Sequence, residues 1–452
     1  MSPNPLTIRQ QVARLGRDLS ASASLAQWLA AVERENGRLN ALLCVATEIS
    51  RQQAAAIDQM AARFPEGLGP LAGIPVSVKD LIDTSFLPTT YGHGRFREHV
   101  PDRTALCVTR LQRSHALIIG KAHLHEFAFG VTNENPHFGP ARNPRDPGRI
   151  TGGSSGGSAA SVVGGMAQAS VGTDTGGSVR IPAALTGCVG FKPSYGLVPT
   201  DGVLPLAPSL DHVGTLANSV EDAAWVTAIM ADIDPDAWLS LPAPCGRVRA
   251  AVVPDLVRRF AAPEVSDWFE ALTHLLQSRG TLEVAGSIQL DADEVARHQS
   301  NILGAEAYAT HRAWLDEHRD AYGADVRERL EEGARVDASS YAESLRFRAR
   351  FRDTVRRWFA QYDCILLPTT PIPAPRLGET HVLIAGEERA VRPLLTRFTN
   401  PWNLSGAPAI SIPAGQVSGL PMGLQIVGKP DGDADLIRIA RRIEADLASH
   451  LP

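Results

Sequence analysis

Two serines and a lysine in the first two-fifths of the chain are placed for acyl-transfer chemistry. They lie in Pro75-Val-Ser-Val-Lys79-Asp80, Gly152-Gly-Ser154-Ser-Gly-Gly-Ser158 and Gly172-Thr-Asp174-Thr-Gly-Gly-Ser178-Val-Arg180. Glycines leave backbone N–H groups free to converge on one point. Such a turn suits the negative oxygen of a tetrahedral intermediate. Ser178 ends Thr175-Gly176-Gly177 and is the candidate nucleophile, although the same glycines also serve a tight turn that needs positive φ. Ser154 sits in a second Gly/Ser loop, where it or Ser155 would also cap the small-residue helix that follows. Lys79 closes a strand. A lysine is a base only when uncharged, and burial disfavours the ammonium and lowers its pKa from about 10.4. Only four of the 44 basic residues are lysines, so few side chains compete for the role. The three together point to an enzyme that cleaves amides.

Strands and helices must hold these groups. Apolar residues at helical spacing (Leu25, Trp28, Leu29, Val32) predict two outer helices between Ser24 and about Arg63. Short apolar runs predict buried strands at 71–78, 116–120, 167–172, 248–253, 364–367, 409–412 and 422–427. Helical stretches are expected at 104–115, 155–165, 263–279, 291–320 and 339–361. Strands alternating with helices indicate an α/β protein with a central sheet. No Gly/Ser-rich linker or repeat divides the chain, so one domain is expected. Its parts are a helical layer (1–66), a core (67–235), a looser helical insert covering the cleft (236–395) and a return to the core (396–452).

Composition narrows the function. Charged residues make up 21% of the 452-residue chain and the net charge is −5, so nothing draws it to nucleic acid or an anionic membrane. Arg346–Arg357 is basic, but its interleaved apolar residues read as a helix with a solvated face. Five scattered cysteines without a CxxC pair fit a reducing cytoplasm rather than a disulfide framework. Met1-Ser-Pro-Asn-Pro lacks the pattern of a signal peptide, and no apolar run is long enough to span a bilayer.

Competing motifs are weaker. Gly152-Gly-Ser154-Ser-Gly156 fits GxSxG, but a nucleophile elbow follows a buried strand and this one follows the loop Asn143-Pro-Arg-Asp-Pro. His123-Leu-His125-Glu126 offers an HxH pair without further metal ligands, so no metal is expected. No lysine follows a serine by three positions, which excludes SxxK hydrolases. Without a P-loop or GxGxxG, no nucleotide cofactor is expected.

The motifs resemble the amidase signature family. The pieces that match are Gly73-Ile-Pro-Val-Ser-Val-Lys-Asp, Ile119-Gly-Lys, Gly152-Gly-Ser-Ser-Gly-Gly-Ser-Ala-Ala, Gly172-Thr-Asp-Thr-Gly-Gly-Ser-Val-Arg-Ile-Pro-Ala, Gly187-Cys-Val-Gly-Phe-Lys-Pro-Ser-Tyr-Gly and Ser209-Leu-Asp-His-Val-Gly. The likeness is dense from about Leu71 to Asp222, looser from Trp238 to Leu395, and resumes at Asn403-Leu-Ser-Gly-Ala-Pro and at Gly419-Leu-Pro-Met-Gly-Leu-Gln. It implies a central mixed twisted β-sheet covered by helices on both faces.

The resemblance also implies roles. Ser178 attacks, Ser154 (after a cis peptide bond) relays the proton, and neutral Lys79 is the base. The N–H groups of Thr175, Gly176, Gly177 and Ser178 form the oxyanion hole, while Asp174, Arg180 and Ser155 support the loops. Phe127, Phe129, Gly130, Val131 and Trp402 are candidates for the substrate pocket. The expected activity is hydrolysis of small aryl or alkyl amides, with carbamates (urethanes) and activated esters open to the same chemistry, by a cytoplasmic monomer or homodimer without a cofactor. The family also holds the A subunit of glutamyl-tRNA amidotransferase, which grips the glutamine amino group with an aspartate three residues before the threonine of its Thr-Ile-Pro-x-Asn-Leu-Ala-Gly segment. Here the segment is Thr399-Asn-Pro-Trp-Asn-Leu-Ser-Gly and the matching position is Thr396. A neutral threonine cannot pair with an ammonium as an aspartate does, so a free-standing hydrolase is favoured. A catalytically silent assembly subunit is the remaining alternative.

Overall fold

The computed structural model describes residues 6–449; Met1–Pro5, with their expected lack of a leader, lie outside them. Eleven strands form one mixed sheet: β1 Leu42–Val45, β2 Pro75–Lys79, β3 Leu117–Ala122, β4 Ala169–Thr173, β5 Val189–Lys192, β6 Val213–Ala217, β7 Val248–Val252, β8 Leu282–Ser287, β9 Cys364–Pro368, β10 Ala409–Val417 and β11 Leu420–Val427. Their order across the sheet is β1-β3-β2-β4-β6-β5-β10-β11-β9-β7-β8. β2 runs parallel to β3 and β4, and β7 runs parallel to β8 and β9. The other neighbours are antiparallel. The helices that bear on the site are α1 Ala21–Leu39, α2 Thr47–Arg63, α3 Gly156–Val163, α4 Arg180–Thr186, α5 Ala292–His318, α6 Ala324–Gly333, α7 Ala338–Trp358, α8 Asn400–Ser405 and α9 Asp433–Ala448.

Every residue of β2, β3, β4, β5, β6 and β9 is buried. Helices cover both faces there, so these strands read as continuous apolar or small-residue runs and lack strict alternation. α1 and α2 form the outer layer that the periodicity predicts. Ser20 caps α1 by accepting from Ala23 N–H, Asn40 ends it in the left-handed region, and Leu25, Trp28, Leu29 and Val32 face inward. Asp58 of α2 accepts from Ala21 and Ser22 N–H and fastens the two helices together.

α3 lies unusually close to the sheet. A Cβ on Gly157 would come within 2.4 Å of His123 N and 2.5 Å of Ala41 O, so the helix approaches backbone to backbone. The expectation for 236–395 needs correction. α5, α6 and α7 are there, but the stretch also supplies β7, β8 and β9 to the main sheet. It is structurally part of the core sheet.

Candidate active site

β2 and β4 are parallel neighbours, and each ends on a residue that matters: Lys79 and Thr173. The site therefore gathers at the carboxyl ends of these strands, a common place for ligands in open α/β sheets. The Lys79 side-chain nitrogen is fully buried and lies 2.7 Å from Ser154 Oγ and 2.7 Å from Thr173 Oγ1. Burial lowers its pKa to about 7, while Asp174 and Asp211 oppose that shift from a distance. The two groups it meets are hydroxyls, neither of them charged.

The other buried lysines are placed differently. Lys121 lies 3.2 Å from the Asp80 carboxylate and donates to Ile82 O. Lys192 donates to the carbonyls of Pro193 and Ala407. Lys79 alone of these three meets the serine loops.

Those loops are joined through the main chain. The Gly153–Ser154 peptide is cis. Ser155 N–H donates to Ser178 O at 3.2 Å. Ser155 occupies the cap position of α3 but makes no side-chain cap bond. Its hydroxyl instead donates to Thr173 O and accepts from Thr173 N–H, pinning the loop to β4.

Asp174 and Arg180 form a buried ion pair at 2.8 Å. Burial would raise the Asp174 pKa, but the Arg180 guanidinium outweighs it and holds the carboxyl well below the usual carboxylate range. Asp174 also accepts from the N–H groups of Gly177 and Val179 and from Asn403 Nδ2. Arg180 reaches on to Thr399 O, Asn403 Oδ1 and Gln425 Oε1. The pair thus ties the loop after β4 to α8 and β11.

Gly177 has φ +127°, and a Cβ there would fall 2.3 Å from Thr399 Oγ1, so only glycine fits. Its N–H is already engaged by Asp174 Oδ1 at 2.8 Å. An oxyanion at this loop would therefore draw first on Thr175, Gly176 and Ser178. The Thr175 hydroxyl donates to Asp211 Oδ1 at 2.6 Å, which links the loop to the Ser209-Leu-Asp211 motif.

The pocket candidates separate. Phe127 is enclosed by the rings of His93, His311, Trp314 and Tyr322. Trp402 is fully buried, and its indole N–H closes on Phe398 O at 2.9 Å. Both are buried among protein side chains. A hydropathy pattern cannot separate a buried aromatic from a pocket aromatic. Phe129 lies under the Arg329 guanidinium, 4.8 Å from its ring centre. Gly130 lets the chain pass His125, whose Nε2 would be 2.2 Å from a Cβ. Val131 and Asn133 pack on Gly153, so this segment does border the Ser154 loop.

Thr173, Gln299, Thr399 and Asn400 also meet the site; Thr173 and Thr399-Asn400 lie in segments quoted above without being assigned a role, and Gln299 lies outside them. Gln299 comes from α5, in the stretch where the likeness is loosest. A groove lined by Asp291, Glu294, Phe347, Arg350, Phe351 and Trp358 also lies on this stretch, but it contains none of the catalytic candidates.

The HxH pair splits. His123 Nδ1 bonds Asn133 Nδ2, and His125 Nε2 bonds Asp325 Oδ2. Glu126 instead lies between His93 and His137, with Nε2 atoms 3.7 and 2.8 Å from its Oε1. The three donor atoms are close enough to hold a cation. However, His93 Nδ1 accepts from Arg95 N–H at 3.1 Å, which puts the proton of the neutral ring on Nε2, the atom facing Glu126. A ligating histidine uses the tautomer opposite to this one. Glu126 is bonded by His137 Nε2 and by Gly323 N–H, which links the core to the start of α6, while His93 Nε2 makes no hydrogen bond.

A family model for Amidase matches residues 23–437. The A subunit of the glutamyl-tRNA(Gln) amidotransferase of Koribacter versatilis (strain Ellin345) is 34% identical, over 99% of this chain and 100% of its own. AtzE, the 1-carboxybiuret hydrolase component of that name from Pseudomonas sp. (strain ADP), is also 34% identical, over 92% of this chain and 93% of its own. A crystal structure of an amidase superposes with a TM-score of 0.89 at 34% identity, covering 98% of this chain and 100% of that chain. A structure from a vestigial complex that bears on the origins of an s-triazine catabolic enzyme gives 0.91 at 30% identity, covering 97% and 98%. The motifs, the sheet that carries them and these end-to-end matches agree: the chain belongs to the amidase signature family.

Proposed function

We propose that the protein is a free-standing hydrolase of small aryl or alkyl amides, with carbamates and activated esters within reach of the same chemistry. The observation that carries this reading is the buried Lys79 nitrogen 2.7 Å from Ser154 Oγ, facing hydroxyls and carrying a pKa of about 7. An amine that is half neutral near pH 7 can accept a proton without strong base. In the proposed sequence Ser178 Oγ bonds to the carbonyl carbon and its proton passes through Ser154 toward Lys79. The carbonyl oxygen becomes an oxyanion against the N–H groups of the Thr175–Ser178 loop. The C–N bond then breaks, the amine takes the proton back through Ser154, and water hydrolyses the acyl-serine. No cofactor enters these steps. The partner is a small molecule, and the protein acts as a cytoplasmic monomer or homodimer.

A second reading is a glutamine-hydrolysing A subunit of an amidotransferase, favoured by the names of many relatives, among them one from Anaeromyxobacter sp. (strain K) that is 36% identical. Against it stands Thr396, whose hydroxyl donates to Pro393 O where an ammonium would need a carboxylate. The deciding experiment offers a p-nitroanilide, an aryl carbamate and glutamine to the wild type and to Ser178→Ala. The proposal expects anilide or carbamate turnover, and loss of both turnover and fluorophosphonate labelling in the variant. Fast glutamine hydrolysis with an inert anilide and carbamate would establish the second reading. Labelling unchanged in Ser178→Ala would move the nucleophile elsewhere.

A further inference from the structure

The loop Thr175-Gly176-Gly177 is held from outside the signature motifs. Thr175 C=O and Gly176 N–H belong to one rigid peptide plane and point opposite ways across it. Whatever holds the carbonyl outward therefore aims the N–H inward. Gln299 Nε2 donates to Thr175 O at 3.1 Å and to Asn400 Oδ1 at 3.0 Å. Gln299 is 1% exposed, so its reach is fixed by packing along α5. The next plane is held the same way: Thr399 Oγ1 donates to Gly176 O at 2.6 Å, and Gly177 N–H donates to Asp174. Asn400 Oδ1 lies 2.8 Å from where a Cβ on Gly176 would sit, which closes the side of the loop. The hydrogen bonds of Gln299 and Asn400 run to the loop and to each other, so their influence on Ser154 and Lys79 passes through the loop.

We infer that Gln299, supplied by the loosely similar stretch, is a positioning residue of the oxyanion hole. It fixes the plane that turns Gly176 N–H toward the developing negative oxygen. This rests on the amide-hydrolase reading above. The residue acts on the transition state because the oxygen becomes anionic only there. Its loss should appear in kcat and leave ground-state binding almost untouched. The stretch is thus part of the catalytic device, and α5 can tune the hole without contacting substrate.

The test is Gln299→Met, which keeps length and removes the donor. Its expected kcat is lower by about tenfold or more, with KM within about twofold. An alkyl boronic acid, which forms a tetrahedral adduct with serine, should lose affinity by a similar factor. A planar, uncharged amide that is not cleaved should bind as in the wild type. A merely structural role would lower the amount of active protein and leave this split absent. Gln299→Glu is the second variant, nearly the same shape and unable to donate to Thr175 O when ionised; it must show the same split. Unchanged boronate affinity in both variants, or equal loss of boronate and the uncharged planar amide, overturns the inference. The two failures are distinguishable. If Ser178→Ala still takes a fluorophosphonate label, the hydrolase reading falls. If that label is lost while Gln299→Met keeps wild-type kcat and boronate affinity, only the role of Gln299 falls.

Discussion

Replacing Lys79 by methionine should make a less active and, below neutrality, a more stable protein. The side chain is fully buried and its pKa falls from 10.5 to about 7, chiefly through loss of water. An unfolded lysine keeps its proton up to about 10.4, so folding near pH 6 must discharge or bury it at a cost of about 4–5 kcal/mol. Between about pH 7 and pH 10.4 the unfolded chain binds the extra proton, so this term makes wild-type stability rise with pH. Methionine removes the term. It also removes the contacts at 2.7 Å to Ser154 and Thr173, worth about 1 kcal/mol each. The variant should therefore gain about 2–3 kcal/mol near pH 6. Near pH 9.5 the lysine costs only about 1 kcal/mol, so the ranking reverses. Lys121 and Lys192 titrate in both proteins and cancel from the difference. Urea unfolding at the two pH values measures it, beside anilide turnover, which should fall by about 10²–10⁴ with the base gone. A stability difference that does not change between the two pH values would show that Lys79 is not discharged on folding, and full activity would show that it is not the base.

Three other outcomes follow from the same geometry. kcat/KM should climb with pH through about 7 as Lys79 loses its proton, measured as a pH–rate profile on a substrate that does not itself titrate. Thr173→Val strips one hydroxyl acceptor from the lysine; the midpoint of that profile should move to lower pH, and kcat/KM should drop by about tenfold. Asp174→Asn leaves Arg180 buried without its carboxylate; urea denaturation should show a loss of about 3–5 kcal/mol.

Much of the site can be read in the sequence because the loops that form it are local. Ser154, Ser155 and Ser178 lie in Gly/Ser runs whose composition announces tight turns, and Lys79 closes an apolar run that forms β2. Which side chains these groups meet is decided by folding and leaves no such trace. Thr173 meets Lys79 only because β4 pairs with β2 in parallel register. Gln299 meets Thr175 across 124 positions, on a helix whose polar residues look alike from sequence. β8 escapes a hydropathy reading because only Leu282 is buried along it. Phe127 and Trp402 are hard to assign for the opposite reason: enclosure and pocket lining both ask for a large apolar ring.

The proposed catalysis depends most on an uncharged amine at Lys79. With four lysines in the chain, ¹⁵N-lysine labelling gives few Nζ signals, and the one lost in Lys79→Met is assigned directly. That signal should titrate near pH 7. A Lys79 Nζ that remains ammonium to about pH 10, like a solvated lysine, would leave Ser154 and Ser178 without a base.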